Sequence, residues 1–324
     1  MGWDEPTFPA TGPPAAPPVI DTPAGRDALS CPLCGYSLRG LAHAEAPQCP
    51  ECGYQFAWPE LLRARQNRHR YLFEHHPGRN LWSLVGTLGG GLVPRRFWSS
   101  LNAGHEIRAK RLLLYWAIVA AVILLSGFGG TFVANGIKLY RVNLALTQMG
   151  VVGASAPLPP APDFFRIVLL YSVDENNLEA YLLVAALAWP WLTLASLMVF
   201  QASMRRARVR PGHVLRCVIY AGDVFIWWGL LLVLRALADW ISMTRDYWDD
   251  TQAVQQTTGA FLFMAIPAVY RLGVAYRRYL RFDRPWLTVL ASQVVVFLIY
   301  VTVLSAFYSD FWRLMPSQFL SGQP

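Results

Sequence analysis

Five apolar runs, each close to the ~20 residues needed to cross the hydrocarbon core of a bilayer, limit what this chain can fold into. They read LLLYWAIVAAVILLSGFGGTFVA (112–134), YLLVAALAWPWLTLASLMVF (181–200), VLRCVIYAGDVFIWWGLLLVL (214–234), TGAFLFMAIPAVYRLGVAY (258–276) and WLTVLASQVVVFLIYVTVLSAFY (286–308). Lipid offers no partner to backbone N–H and C=O groups, so runs of this kind cross it as helices. Only 15% of the 324 residues are charged, against about 25% in an ordinary soluble domain. The expected fold is an all-α polytopic membrane protein with five transmembrane helices in a domain covering 112–309.

The charges between the runs set an orientation. Residues 60–111 carry ten Arg or Lys, and RRARVRPGHVLR (205–216) carries five Arg. Arg271, Arg277, Arg278, Arg281 and Arg284 cluster at the end of the fourth run and after it. The intervening links are poorer in positive charge, with Lys138, Arg141 and Arg166 in one and the acidic SMTRDYWDDT in another. Positive charge alternates with each crossing, as the positive-inside rule requires for five spans. The expectation is a multi-pass protein of a bacterial inner membrane. Its amino terminus is cytoplasmic, and its carboxyl terminus, with a short tail at 310–324, is external.

A different kind of element precedes the spans. CPLCGYSLRGLAHAEAPQCPECG places Cys31 and Cys34, then Cys49 and Cys52, in two CxxC pairs fourteen residues apart. Four thiolates so arranged suit a tetrahedral metal site with every position filled by protein. Pro follows the first cysteine of each pair and Gly follows the second, where a knuckle needs a fixed turn and then a positive φ. The interval is too short for a rubredoxin body, which favours one structural Zn²⁺ over iron. Reduced thiolates belong in a reducing compartment, the side already chosen by the charges. His43 is expected to be a loop residue rather than a substitute ligand, and Cys217 lies alone in an apolar run.

The remaining segments read less sharply. Residues 1–30 are rich in Pro and Ala and are expected to form a disordered tail. The stretch 57–111 mixes basic and aromatic residues. Its first part, PELLRARQNRHRYLFEHH, is expected to form a short helix starting near Glu60. Its histidines, His69, His75 and His76, are expected on a solvated basic surface. NLWSLVGTLGGGLVPRRFWSSL is too short to span and suits the interface, with Trp82 and Trp98 at headgroup level and Arg95 and Arg96 toward anionic lipid. For the outer loop, 135–180, the sequence leaves open whether FFRIVLLYSV lies on the membrane or forms a strand.

Within the spans, Pro190 and Pro267 are expected to kink their helices. Ser126, Gly130 and Ala134, four residues apart, suit close helix approach, and Arg235 is expected to snorkel to the outer interface. Asp223 lies about nine residues, ~13 Å, into the third run. An intramembrane carboxylate either carries a proton or ion or is paired. Arg216, two turns back on the same face, and Arg271 are its candidate partners.

CPLCGYSLRGL followed by CPECG ahead of several spans resembles bacterial, planctomycete-type zinc-ribbon membrane proteins, the ribbon covering 31–56. The apolar LWSLVGTLGGGLVPRRFW followed by five helices with the amino terminus inside is similar to the five-span Yip family of membrane-trafficking proteins. Neither resemblance implies a catalytic residue, and no GxSxG, HExxH or Walker loop is present. The leading expectation is a membrane scaffold or adaptor whose ribbon docks a cytoplasmic protein partner and whose helices lie in the lipid bilayer. The alternatives are a small-solute or ion transporter using Asp223, and a membrane enzyme using the loop acids Asp246, Asp249 and Asp250. The near-neutral ribbon argues against nucleic acid.

Overall fold

The computed structural model describes residues 30–38, 41, 48–59, 61, 69–148, 178–203, 209–242, 250–282 and 284–307. The expectations for the tail 1–30, His43, Glu60, the loop 149–177, Asp246, Asp249 and the tail 310–324 lie outside them. The described chain is mostly helical, with no β-strand among these residues. After a single 3-10 turn at Phe73–His75 come α1 (Asn80–Gly91), α2 (Pro94–Ser100), α3 (Ala109–Gln148) and α4 (Leu178–Ser203). Then follow α5 (Pro211–Gly222), α6 (Phe225–Ser242), α7 (Asp250–Arg278) and α8 (Pro285–Phe307).

Five stretches are long and apolar enough to cross a membrane: Ala109–Arg141, Ala180–Phe200, Pro211–Ala238, Thr257–Arg278 and Pro285–Ala306. They coincide with the five runs read from the sequence. Their outward faces stay apolar and uncovered. On α8, Leu287, Leu290, Val294, Phe297 and Leu298 are each more than half exposed. A continuous apolar face of this extent is characteristic of a chain whose solvent is lipid.

α3 continues past Ala134 to Gln148, so part of the expected outer loop is helix. The sequence 137–148 holds no proline and several good helix formers, and nothing local stops it. α3 packs along α6. A methyl group at Gly130 would sit 3.0 Å from the Leu232 carbonyl carbon, and one at Gly229 would sit 2.5 Å from Ser126 Oγ. Both glycines are needed for this approach, as the small-residue spacing implied. α4 lies against α8 and α5. Gln293 ties α8 to α4, accepting from Trp189 Nε1 at 3.0 Å and donating to Thr193 Oγ1 at 3.2 Å. α4 and α7 remain helical through Pro190 and Pro267. At the far end of α6, Arg235 donates to the Thr257 hydroxyl.

Three expectations are refined or corrected here. The third span stands as one of the five candidate crossings, but its helix is interrupted at Asp223 and Val224. α5 ends at Gly222, and the chain turns on i→i+3 bonds, Ile226 N–H to Asp223 O and Trp227 N–H to Val224 O, each 3.1 Å. Trp98 is 1% exposed and not at a lipid interface. With Phe97 it turns inward from α2 onto Tyr220 and Tyr279. The same short helix directs Arg95 and Arg96 outward, and Trp82 on α1 is half exposed. Residues 69–76 form no α-helix, and His69 and His75 are buried. Partners inside offset the cost of desolvation: His69 Nε2 lies 3.0 Å from Ser100 Oγ, and His75 bonds at both ring nitrogens.

Candidate metal centre and buried ionic network

The two CxxC turns fold identically. In each, the N–H of the first cysteine bonds the carbonyl five residues on, Cys31 to Tyr36 at 2.7 Å and Cys49 to Tyr54 at 3.0 Å. In each, the glycine N–H returns to that cysteine's carbonyl at 2.9 Å. Gly35 and Gly53 have φ of +84° and +72°, the left-handed conformation that the motif's glycines were expected to supply. The isolated bridges Ser30–Ser37 and Gln48–Gln55 close the two turns.

This brings all four sulfurs within 4.8 Å of one another. Cys31 and Cys52 are 3.6 Å apart, and Cys34 and Cys49 are 3.5 Å apart. Those separations exclude disulfides, whose S–S length is ~2.05 Å. They approach the ~3.8 Å edge of a tetrahedron with ~2.3 Å metal–sulfur bonds. Cys31, Cys34, Cys49 and Cys52 can therefore hold one metal ion. The Tyr36 N–H points at Cys34 Sγ at 3.5 Å, a donor that would steady a thiolate. The Cys52 thiol, as donor, pulls Cys31 down to about 5, and burial pushes Cys34 up to about 11. A dication bound among the four sulfurs would displace their protons.

The cysteine unit is docked on the helical body. Arg210 N–H donates to Leu33 O at 2.7 Å, and His213 Nε2 lies 2.8 Å from Pro32 O. Arg210 and His213 flank the start of α5, and Pro32 and Leu33 lie between two of the metal-site cysteines. The Arg210 guanidinium lies against Gly35, where a Cβ would be 2.5 Å from it. The second knuckle is tied down by Tyr54 OH to Asn102 Oδ1 at 3.4 Å and by Arg281. Arg281 donates to Gln55 O at 3.2 Å and lies over the Tyr54 ring.

Behind this interface lies a network of buried charges. Arg216 Nε donates to Glu74 Oε1 at 2.7 Å, with both side chains fully buried. Its other nitrogens donate to Tyr279 OH at 2.7 Å and Glu106 O at 2.8 Å. Glu74 also accepts from Tyr220 OH at 3.2 Å and from the Arg108 N–H at 3.1 Å. Tyr279 OH lies 2.7 Å from His213 Nδ1. The Pro32 carbonyl can only accept, so His213 Nε2 carries the ring proton and Nδ1 accepts from Tyr279 OH. One hydrogen-bonded line thus runs from Glu74 to the first metal knuckle.

The second pair is Asp223 with Arg271, together with Tyr115 OH donating to Asp223 Oδ2 at 2.6 Å. Of the two candidate partners, Arg271 is the one in contact. Arg216, although on the same face in sequence, belongs to Glu74. Gly91 makes room for the Arg271 guanidinium, which a Cβ would meet at 2.7 Å.

Beside the Arg216 pair, the His105 ring lies 5.9 Å from the His69 ring and 5.7 Å from the His75 ring. Burial pushes His69 down to about 3 and lowers His75 and His105, so the layer is neutral near pH 7. His75 accepts the His69 N–H at 2.9 Å and reaches Glu106 O at 3.1 Å. The histidines therefore splice the segment before α1 to the one before α3 and present Glu74 to Arg216.

Glu74, Tyr115, His213, Tyr220 and Tyr279 escaped the reading of the sequence. One signal was available for Glu74, a lone acid inside the aromatic YLFEHH. No protein-family model matches the chain, and no curated protein and no solved structure is significantly similar to it.

Proposed function

We propose that the chain is a multi-pass scaffold or adaptor of a bacterial inner membrane, with its amino terminus in the cytoplasm. In this reading the unit 31–56 is a zinc ribbon. It holds one structural Zn²⁺ on Cys31, Cys34, Cys49 and Cys52 and presents its outer face to a cytoplasmic protein. The observation that carries it is the closed four-sulfur pocket whose knuckle carbonyls are bound by Arg210, His213 and Arg281. All four ligand positions are filled by protein, so the ion has no open coordination site for catalysis. The docking restrains the ribbon relative to the membrane, as an adaptor requires. The basic ends of the third and fourth spans lie beside it, in accord with the charge rule.

The test is affinity purification from mild detergent of the wild type beside Cys49→Ser/Cys52→Ser, followed by mass spectrometry. A protein companion present with the wild type and lost from the variant is expected. An identical set of companions from both would remove the ribbon from recognition.

Transport is the second reading, favoured by a carboxylate inside a broken span. In the scaffold reading both oxygens of Asp223 are committed, one to Arg271 and one to Tyr115, and the pair is structural. Asp223→Asn should then lower thermal stability, because Arg271 is left buried without its counter-charge, while the companions are retained. Proton flux into reconstituted vesicles, present with the wild type and abolished in Asp223→Asn, would favour the transporter instead.

A further inference from the structure

A groove of ≈ 220 Å³ opens where α2 meets the ends of α7 and α8, lined by Arg95, Tyr270, Val274, Arg277, Arg278 and Trp286. Three guanidinium groups from two separate elements converge on it. Helix-terminal charge preference accounts for Arg277 and Arg278 in the last turn of α7. It does not account for Arg95, which α2 brings to the same opening and whose Nε donates to Tyr270 OH at 3.0 Å. Among the described residues no carboxylate pairs with any of the three.

The groove has a built wall. Trp286 stacks on Tyr270 with centroids 6.1 Å apart and planes 26° apart. Its ring rests against Gly273, at a place a Cβ would occupy. Both rings are about one-third exposed. The location is equally specific. Arg277 and Arg278 end the fourth candidate span and Trp286 begins the fifth, the level at which aromatic rings and basic side chains meet headgroups. Below Tyr270, one and two turns back on α7, Ile266 and Phe263 are each 66% exposed. A positive pocket thus sits directly above an apolar track.

We propose that this groove binds the phosphate of an anionic phospholipid, with the three arginines around the phosphate, Trp286 and Tyr270 flanking the glycerol, and an acyl chain along Ile266 and Phe263. The apolar track is what selects a lipid over free phosphate. The proposal rests on the reading that these helices lie in a bilayer.

The experiment uses the full-length, metal-loaded protein in detergent micelles carrying phosphatidylglycerol, phosphatidylcholine or inorganic phosphate, with bound adducts counted by native mass spectrometry. Retained phosphatidylglycerol is expected, with phosphatidylcholine washed away. Arg277→Gln/Arg278→Gln should weaken retention by about fivefold for each charge removed, and Arg95→Gln should weaken it similarly. Arg70→Gln/Arg79→Gln removes the same charge away from the groove and should retain the lipid. Equal losses in the two double variants would reduce the effect to general surface charge and overturn the site. Displacement by equimolar inorganic phosphate would overturn the lipid assignment. Alkali-washed vesicles separate this from the membrane reading. A wild type that washes off fails that reading, whereas one that stays inserted without phosphatidylglycerol preference fails only the groove.

Discussion

Replacing Arg216 by Met is expected to destabilise the detergent-solubilised protein by ~3–5 kcal/mol, the range for removing one partner of a buried ion pair. The loss arises mainly from what is left behind. Glu74 has no solvent exposure, and without the guanidinium its charge is held only by Tyr220 OH and the Arg108 N–H. Tyr279 and the Glu106 carbonyl lose donors as well. Adding Glu74→Gln to Arg216→Met should recover part of the loss, since two neutral side chains of similar size no longer strand a charge. Thermal unfolding followed by size exclusion measures both variants and Glu74→Gln alone. If Arg216→Met melted with the wild type, or if the double variant were as unstable as the sum of the singles, the network would not be a coupled unit.

Removing the metal is the second large perturbation. Structural zinc on four thiolates contributes ~10–16 kcal/mol of apparent binding free energy near neutral pH. A unit as small as the one carrying the four cysteines has little core of its own to replace it. If the proposed zinc site holds, Cys49→Ser/Cys52→Ser should fall from one metal ion per chain to none by elemental analysis and become open to proteolysis within 31–56. The five spans should remain inserted, because their helices are held by lipid and by α3–α6 and α4–α8 packing. The docking adds a further consequence. Pro32 O and Leu33 O are the acceptors for His213 and Arg210, so losing the metal should raise amide exchange at 209–216. A variant that keeps its metal would defeat the four-cysteine assignment. Iron found in the wild type would change the ion and leave the site standing.

These two experiments probe features that were unequally visible in the chain. Length and hydropathy alone were enough to find five helices able to cross a membrane, because a bilayer imposes one thickness and one way of satisfying the backbone. Spacing alone was enough for the cysteine site, because CxxC with a following glycine is a local shape. Gly35 and Gly53 supply the positive φ it needs. Alternating basic residues sufficed for a proposed orientation.

Partner choice was not visible in that way. Arg216 and Asp223 share a face on an ideal helix, yet the helix breaks at 222–225 and each takes a partner far away in sequence. Glu74 pairs with Arg216 across 142 residues, and Arg271 pairs with Asp223 across 48. Trp98 and His69 carry surface-like signatures in the chain and are buried in the fold. Periodicity and spacing describe local geometry, and they end where a buried charge or ring must find its complement. That complement is set by desolvation and three-dimensional packing, which is why the five helices and the metal knuckles were legible from residues 1–324 and the network joining them required the folded structure.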